Sequence, residues 1–212
     1  QIYTHLDDEQ LRKAAGNNPL ADLDYNDKDY EFSYELEEIP IEGNKTKALA
    51  VEYNNKNKDM FVYVFKEIGE GNSVEASTTY NATLRFDVGT NISDTTAGEK
   101  THVKAGVVSR LPLPEEKSDR IDFNLDKGNN EKEGVDLKTL EGITKPNKDN
   151  QNYEFKSYTT SNQVIANKNG MIYAVVGVDS TYDEKIKFYI DNVNLKLEKV
   201  KEQVEDSQET ND

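Results

Sequence analysis

Apolar and polar residues alternate with period two over much of the chain. Tyr30 to Ile41 sets Phe32, Tyr34 and Leu36 against Ser33, Glu35 and Glu37 and stops at Pro40. Lys47 to Tyr53 repeats the pattern with Leu49, Val51 and Tyr53, and Thr79 to Val88 repeats it with Tyr80, Ala82, Leu84, Phe86 and Val88. Successive side chains of a strand point to opposite faces, so each stretch predicts a strand buried on one side. Met60 to Phe65 is apolar at every position. A strand tolerates that only when both faces are covered, which predicts a place in the middle of a sheet.

Shorter strands are expected over Val103 to Val107, Ile121 to Leu125, Tyr153 to Tyr158 and Gln163 to Ala166. Pro112 and Pro114 bar Leu111 to Pro114 from a central strand, because proline has no N–H to give to a ladder. Glu131 to Asn152 carries only isolated apolar residues and predicts a loop with one weak strand. The apolar run Met171 to Val178, a polar turn and a strand ending Phe188-Tyr189-Ile190-Asp191-Asn192-Val193 predict a closing antiparallel pair. In that last strand the apolar positions are Ile186, Phe188 and Ile190, then Val193, Leu195 and Leu197. A change of parity that keeps the apolar set on one face requires one inserted residue, a β-bulge at Asp191-Asn192.

Short strands without intervening helices predict an all-β fold, an antiparallel β-sandwich or jelly roll. The expected organisation is an extended leader over 1–29 with one turn of helix at most (Leu6, Leu11, Ala14), one sandwich over 30–198, and a disordered acidic tail over 199–212. A chain of 212 residues can build one such core.

Charge narrows the partners. Asp and Glu number 41 against 26 Lys and Arg, a net charge of −15. That argues against nucleic acid and anionic lipid and leaves cation binding open. There is no cysteine, hence no disulfide framework, a composition at home in proteins exported by Gram-positive bacteria. No apolar segment approaches the ~20 residues that span a bilayer.

Catalysis finds little support. Carboxylates are too numerous for any two to stand out as a glycosidase pair. His5 and His102 are the only histidines and no Gly-x-Ser-x-Gly elbow accompanies them, so the protein is read as a non-enzyme. Calcium takes oxygen ligands from acidic loops and turns, which makes Asp22, Asp24 and Asp27, the turn Asp179 to Asp183, and Asp191 candidates. Asp179 and Asp191 are, each in its own turn or bulge, the preferred ligands for a structural Ca2+. Twelve tyrosines and no tryptophan place tyrosine as the ring available for stacking on a ligand. Tyr158, Tyr182 and Tyr189 are expected to be exposed, and Asn91 lies in the long loop Gly89 to Gly98, the kind of segment in which binding residues sit.

The phrase Met171-Ile-Tyr-Ala-Val-Val-Gly-Val-Asp-Ser-Thr-Tyr with Phe188-Tyr-Ile-Asp-Asn-Val resembles the last two strands of galactose-binding-like jelly rolls, among them bacterial carbohydrate-binding modules. The order Asn57-Lys-Asp-Met-Phe-Val-Tyr, Thr78 to Asn91, Val103-Lys-Ala-Gly and Asn124-Leu-Asp-Lys-Gly-Asn resembles a group of uncharacterised exported or lipid-anchored bacterial proteins. The resemblance covers roughly Tyr30 to Leu197. It implies a jelly roll at the cell surface, exported or lipid-anchored upstream of Gln1, in some members with a structural calcium near the position matched by Asp191. Two features depart from it: tryptophan is absent, and the glycine-rich loop is reduced to Thr95-Thr-Ala-Gly-Glu. The resulting expectation is a monomeric module that binds a glycan or cell-wall polysaccharide through loops and exposed tyrosines. The alternative is an envelope protein-interaction or structural module without a sugar site.

Overall fold

The structure, a computed structural model, describes residues 2–6, 20–21, 23–24, 33–55, 60–116 and 120–201. Two antiparallel sheets pack face to face. The first has the order β12 (Glu154–Ile165), β7 (Thr79–Thr90), β14 (Lys185–Lys199), β5 (Lys47–Asn54) and β4 (Ser33–Glu38), and β1 (Ile2–Leu6) also pairs with β14. The second has the order β11 (Lys138–Gly142), β8 (Thr101–Val108), β13 (Ile172–Ser180), β6 (Met60–Ile68) and β2 (Leu20–Ala21). A small third sheet joins β3 (Leu23–Asp24), β10 (Arg120–Phe123) and β9 (Pro114–Glu116). The all-β antiparallel sandwich expected from the pattern is what the chain forms.

The core follows the period. Tyr80, Ala82, Leu84, Phe86 and Val88 of β7 meet Val103, Ala105 and Val107 of β8 and Ala174, Val176 and Val178 of β13 in one buried cluster between the sheets. In β14 the inward residues are Ile186, Phe188 and Ile190, then Val193, Leu195 and Leu197. The register shifts between Asp191 and Asn194, and Asn192 has φ 51°, so the bulge lies where the parity change puts it.

Three expectations are corrected. The runs read as a closing pair are not partners: β13 pairs with β6 and β8, whereas β14 pairs with β5, β7 and β1. Residues 181–184 therefore cross from one sheet to the other, as most connections from β5 onward do, and each run finds its neighbours far away in sequence. Strand β6 is covered on both faces, Met60, Val62 and Val64 facing the main core and Phe61, Tyr63 and Phe65 a second cluster. It is not central, however, since only the two-residue β2 lies beyond it. A five-residue helix, α1 (Thr95–Glu99), also interrupts a stretch expected to be loop.

Parts of the expected leader are strands. Ile2–Leu6 pairs with Val193 to Leu197, and Leu20 and Ala21 pair with Val62 and Phe61. Most of the expected helical turn and residues 202–212 of the acidic tail lie outside the described residues. No helix among the described residues is long and apolar enough to cross a membrane.

The two outer faces differ. Over the second sheet, Phe123, Leu125 and Leu137 cover Phe61, Tyr63, Phe65, Tyr173 and Val175. The residues after β10 are pinned there by Lys104, wholly buried, whose ammonium donates to the carbonyl oxygens of Asn129 and Lys132 (2.9 Å for the latter) and to the Thr139 hydroxyl. Burial pushes the Lys104 pKa down to about 8.

Candidate functional site

The end of the sandwich at which β7, β13 and β5 terminate gathers segments distant in the chain. Buried Thr90 closes β7: its hydroxyl donates to the Ile143 carbonyl (3.0 Å) and accepts from the Ile92 N–H (3.1 Å). The Lys145 N–H donates to the Ile92 carbonyl at 2.8 Å, which lashes the loop bearing Asn91 to the segment after β11. Asp94 then caps α1, accepting from the Thr96 N–H at 2.7 Å. The helix sits so close to residues 142–144 that a side chain at Gly98 would overlap Thr144.

A second lashing holds the crossing loop. Asn55, fully buried, donates through Nδ2 to the carbonyls of Ser180 and Tyr182, both at 2.9 Å. The Tyr182 N–H donates to the Ser180 hydroxyl at 3.1 Å, and the Thr181 N–H to the Lys100 carbonyl at 2.9 Å. The Tyr182 ring is half-buried against the core. Burial raises its hydroxyl above the usual tyrosine range, helped by a hydrogen bond with Glu184 and by the charges of Glu184, Asp94 and Asp183. Tyr182 and Asp94 are thus electrostatic neighbours, and Asn91 stands three residues before Asp94.

A third buried anchor sits behind this end. Lys145 is wholly buried and its ammonium donates to Asn150 Oδ1 (2.6 Å) and the Asn152 carbonyl (2.8 Å), with the Glu154 carboxylate 3.4 Å away. Backbone positions in these loops are fixed by side chains that solvent does not reach. Sequence reading missed Thr90, Asn55, Lys104 and Lys145; a lysine within an apolar strand, Val103-Lys104-Ala105, was the one available hint.

The expected exposure of Tyr158 and Tyr189 is corrected. Tyr158 lies in the main core, stacked on Phe86 at 5.5 Å, with its hydroxyl donating to the Gly142 carbonyl at 3.0 Å. Tyr189 is buried on the outer face of the first sheet beneath Ile39, beside Ala48 and Ala50, its ring edge-on to Tyr153 at 5.3 Å. Parity placed Tyr189 on the outer face correctly; the hairpin after β4, folding back over Gly89, is what covers it.

The two preferred metal ligands are on opposite sides of the molecule. Asp179 faces outward from the second sheet, 2% exposed and paired with Lys127 at 2.9 Å. Asp191 faces outward from the first sheet at the bulge, across from Asp87. Its carboxylate accepts from the Asn192 N–H, while the Asn192 and Ser157 side chains both donate to Asp87. The two cannot share an ion. Among the described residues no three carboxylates or imidazoles converge as they would around a metal. Residues Asp22 and Asp27 fall outside the described set.

No family model matches the chain, and no curated protein matches it. Solved structures similar to it include a carbohydrate-binding module of the β-sandwich superfamily, 9% identical with a TM-score of 0.38, the match covering 78% of this chain and 52% of that one. The chain thus spans about half the length of that structure. A CBM27 module of Caldicellulosiruptor saccharolyticus, solved with mannohexaose, is 12% identical over 91% of this chain and 95% of its own, with a TM-score of 0.41. The K1 cleaved adhesin domain of Lys-gingipain from Porphyromonas gingivalis W83 is 11% identical over 84% of this chain and 89% of its own, with a TM-score of 0.38.

Proposed function

We propose that the protein is a non-catalytic, exported module that binds a neutral glycan or cell-wall polysaccharide at the loop end bearing Asn91, Asp94, Tyr182, Asp183 and Glu184. The observation that carries this reading is the locking of that end. Two loops ninety residues apart in the chain are fixed from below, the first by the buried Thr90 hydroxyl and the Lys145 backbone N–H, the second by the buried Asn55 amide, whose two hydrogen bonds both go to loop carbonyls. Preorganised loops spare a ligand the entropy of ordering them. Carboxylates and an amide around a tyrosine suit the hydroxyls and flat apolar face of a sugar ring, and a net charge of −15 favours a neutral ligand over an acidic one.

The test is a panel of soluble neutral and acidic polysaccharides, read by affinity electrophoresis and by the shift in thermal midpoint. A neutral polymer should retard the protein and raise its midpoint, because a ligand that binds only the native state stabilises it. Tyr182→Ala should weaken binding by about tenfold, the loss expected for an aromatic contact. Retardation unchanged in Tyr182→Ala and Asn91→Ala would remove the loop end from the site.

A second reading rests on the opposite end. There Val135 is 92% and Ile165 59% exposed beside a groove of about 250 Å³ formed by the ends of β8 and β12, with Arg110 and Asp136 paired at 3.3 Å. An envelope module with no sugar site would use such apolar side chains on a protein partner. Failure of every polysaccharide, with retention of an envelope protein that Ile165→Asp releases, would favour it.

A further inference from the structure

Asp179 and Lys127 form a pair that is almost sealed from water. The side chains are 2% and 11% exposed, and Nζ lies 2.9 Å from Oδ2. Their surroundings are aromatic: Nζ sits 5.3 Å from the centre of the Phe61 ring, which is edge-on to Phe123 at 5.1 Å and stacked on Tyr63 at 5.5 Å. The loop bearing Lys127 is held over this spot by the Lys104 cage and by Asn130, whose Nδ2 donates to the carbonyls of Asp179 (2.8 Å) and Lys100 (3.0 Å). Amine and carboxyl are therefore kept in register by groups other than themselves, the arrangement that gives intramolecular reactions their advantage.

His102 stands beside them. It is the cross-strand partner of Asp179, so the two side chains project from the same face of the sheet. Its Nδ1 is buried and has no hydrogen-bond partner among the described residues. Burial and the Lys104 charge, outweighing Asp179 and Glu131, lower its pKa and keep the imidazole neutral near pH 7. A neutral imidazole with a free nitrogen can take and return a proton.

We propose that Lys127 and Asp179 condense into an amide, a covalent bond from Nζ to Cγ that ties the loop after β10 to the central strand β13. The ammonium first gives a proton to the carboxylate 2.9 Å away, making amine and acid. The Nζ lone pair then attacks Cγ, and the C–N bond forms. His102 carries the second Nζ proton to the leaving hydroxyl, the C–O bond breaks, and water departs with both protons. One N–H remains on the amide, no oxidant or cofactor is consumed, and two charges vanish from an aromatic pocket. Asp179, expected from sequence as a metal ligand, becomes one end of a cross-link.

Peptide mapping of the full chain tests this directly. Trypsin should leave Lys127 uncut and release a branched peptide joining the segments of Lys127 and Asp179, about 18 Da lighter than their sum, the mass of water lost on amide formation. The branched peptide is the criterion rather than intact mass, because it alone shows which two residues are joined. Asp179→Ala and Lys127→Arg should each abolish the branch, and Lys127→Arg, which keeps the charge pair, should lower the thermal midpoint by several degrees. His102→Gln should leave a mixture of branched and linear peptides soon after synthesis. Quantitative recovery of both segments as linear peptides from the natural sequence would overturn the proposal. Complete branching in His102→Gln would overturn the role given to the imidazole.

Discussion

The outer faces of the two sheets take opposite routes to the same end. On the first sheet, Asn81, Thr83, Arg85 and Asp87 of β7 and Ser157, Thr159, Ser161 and Gln163 of β12 face solvent as an open polar surface, in the alternation usual for antiparallel sheets. On the second, Phe61, Tyr63, Phe65 and Tyr173 are buried beneath Phe123, Leu125 and Leu137. The covered face needs extra chain to close it, and that chain is mostly irregular. Its backbone polar groups lack a sheet partner and are met by side chains instead: Lys104 on the Asn129 and Lys132 carbonyls, Asp126 on the Gly128 and Val135 amides, Asn124 on Leu111 and Leu113. A second apolar layer thus brings with it a set of polar anchors, from wholly buried Lys104 to exposed Asp126, that the open face does not require.

The largest expected contrast comes from removing one ring. Phe61 is wholly buried, touches Tyr63 and Phe123, and lies against Gly177, where even a methyl group would come within 2.5 Å of its ring. Phe61→Ala should cost about 3–5 kcal/mol, the range for a buried aromatic. Thr83→Ala on the open face should change stability by no more than about 0.5 kcal/mol, since it removes only a bond to the Ser161 hydroxyl. Urea unfolding of the two variants measures the difference directly. Equal losses would mean that the apolar layer over the second sheet contributes nothing beyond a solvated face.

Part of this contrast is legible in the sequence and part is not. Periodicity shows Met60 to Phe65 covered on both sides and places the bulge at Asp191-Asn192, because burial of a face is written every second residue. Which strands become neighbours is not written there. Val176 and Phe188 belong to adjacent runs yet lie in different sheets, since pairing is decided by long-range packing rather than by local pattern. The loop end was half legible: Asn91 and Tyr182 do lie at the same end, but Tyr158 and Tyr189 do not project there, because a tyrosine reads the same whether its ring is covered or free. The anchors were illegible altogether. Lys104 and Lys145 look like surface residues, and only the carbonyls folded around them show otherwise.

A smaller effect should come from the anchor itself. Lys104→Met keeps most of the side-chain volume but removes the donor to the Asn129 and Lys132 carbonyls and the Thr139 hydroxyl. Stranding buried acceptors costs about 1–3 kcal/mol, and part of that should be recovered because the buried charge is gone as well. A net loss of about 2 kcal/mol is expected on that balance. Hydrogen exchange should locate it, with faster exchange over 126–137 and unchanged protection in β7 and β12. A uniform increase across both sheets would show that the anchor supports the whole sandwich rather than its second layer.

The smallest effect lies at the exposed edge of the covered face and appears only through pH. Asp126 accepts from the Val135 and Gly128 amides, both at 2.9 Å, and these two bonds hold its carboxyl below the usual aspartate range, with Lys104 and Lys127 adding to them. A carboxyl whose pKa is depressed on folding stabilises the protein fully above its unfolded pKa, about 3.9, and ceases to do so as pH falls through the lower folded value. The natural chain should therefore exceed Asp126→Asn in stability by a constant amount between pH 5 and 8. That gap should close on acidification below about pH 4, as the aspartate takes up a proton and comes to resemble the amide. A gap that widens towards acid would mean that protonation strengthens these turns, and the carboxylate could not be what holds the loop to the face. No such dependence is expected for Asn124, which fixes the neighbouring segment by accepting from the Leu113 amide and donating to the Leu111 carbonyl and carries no titrating group. Asn124→Ala should lower stability by a similar small amount at every pH, which separates charge from hydrogen bonding within one layer of the molecule.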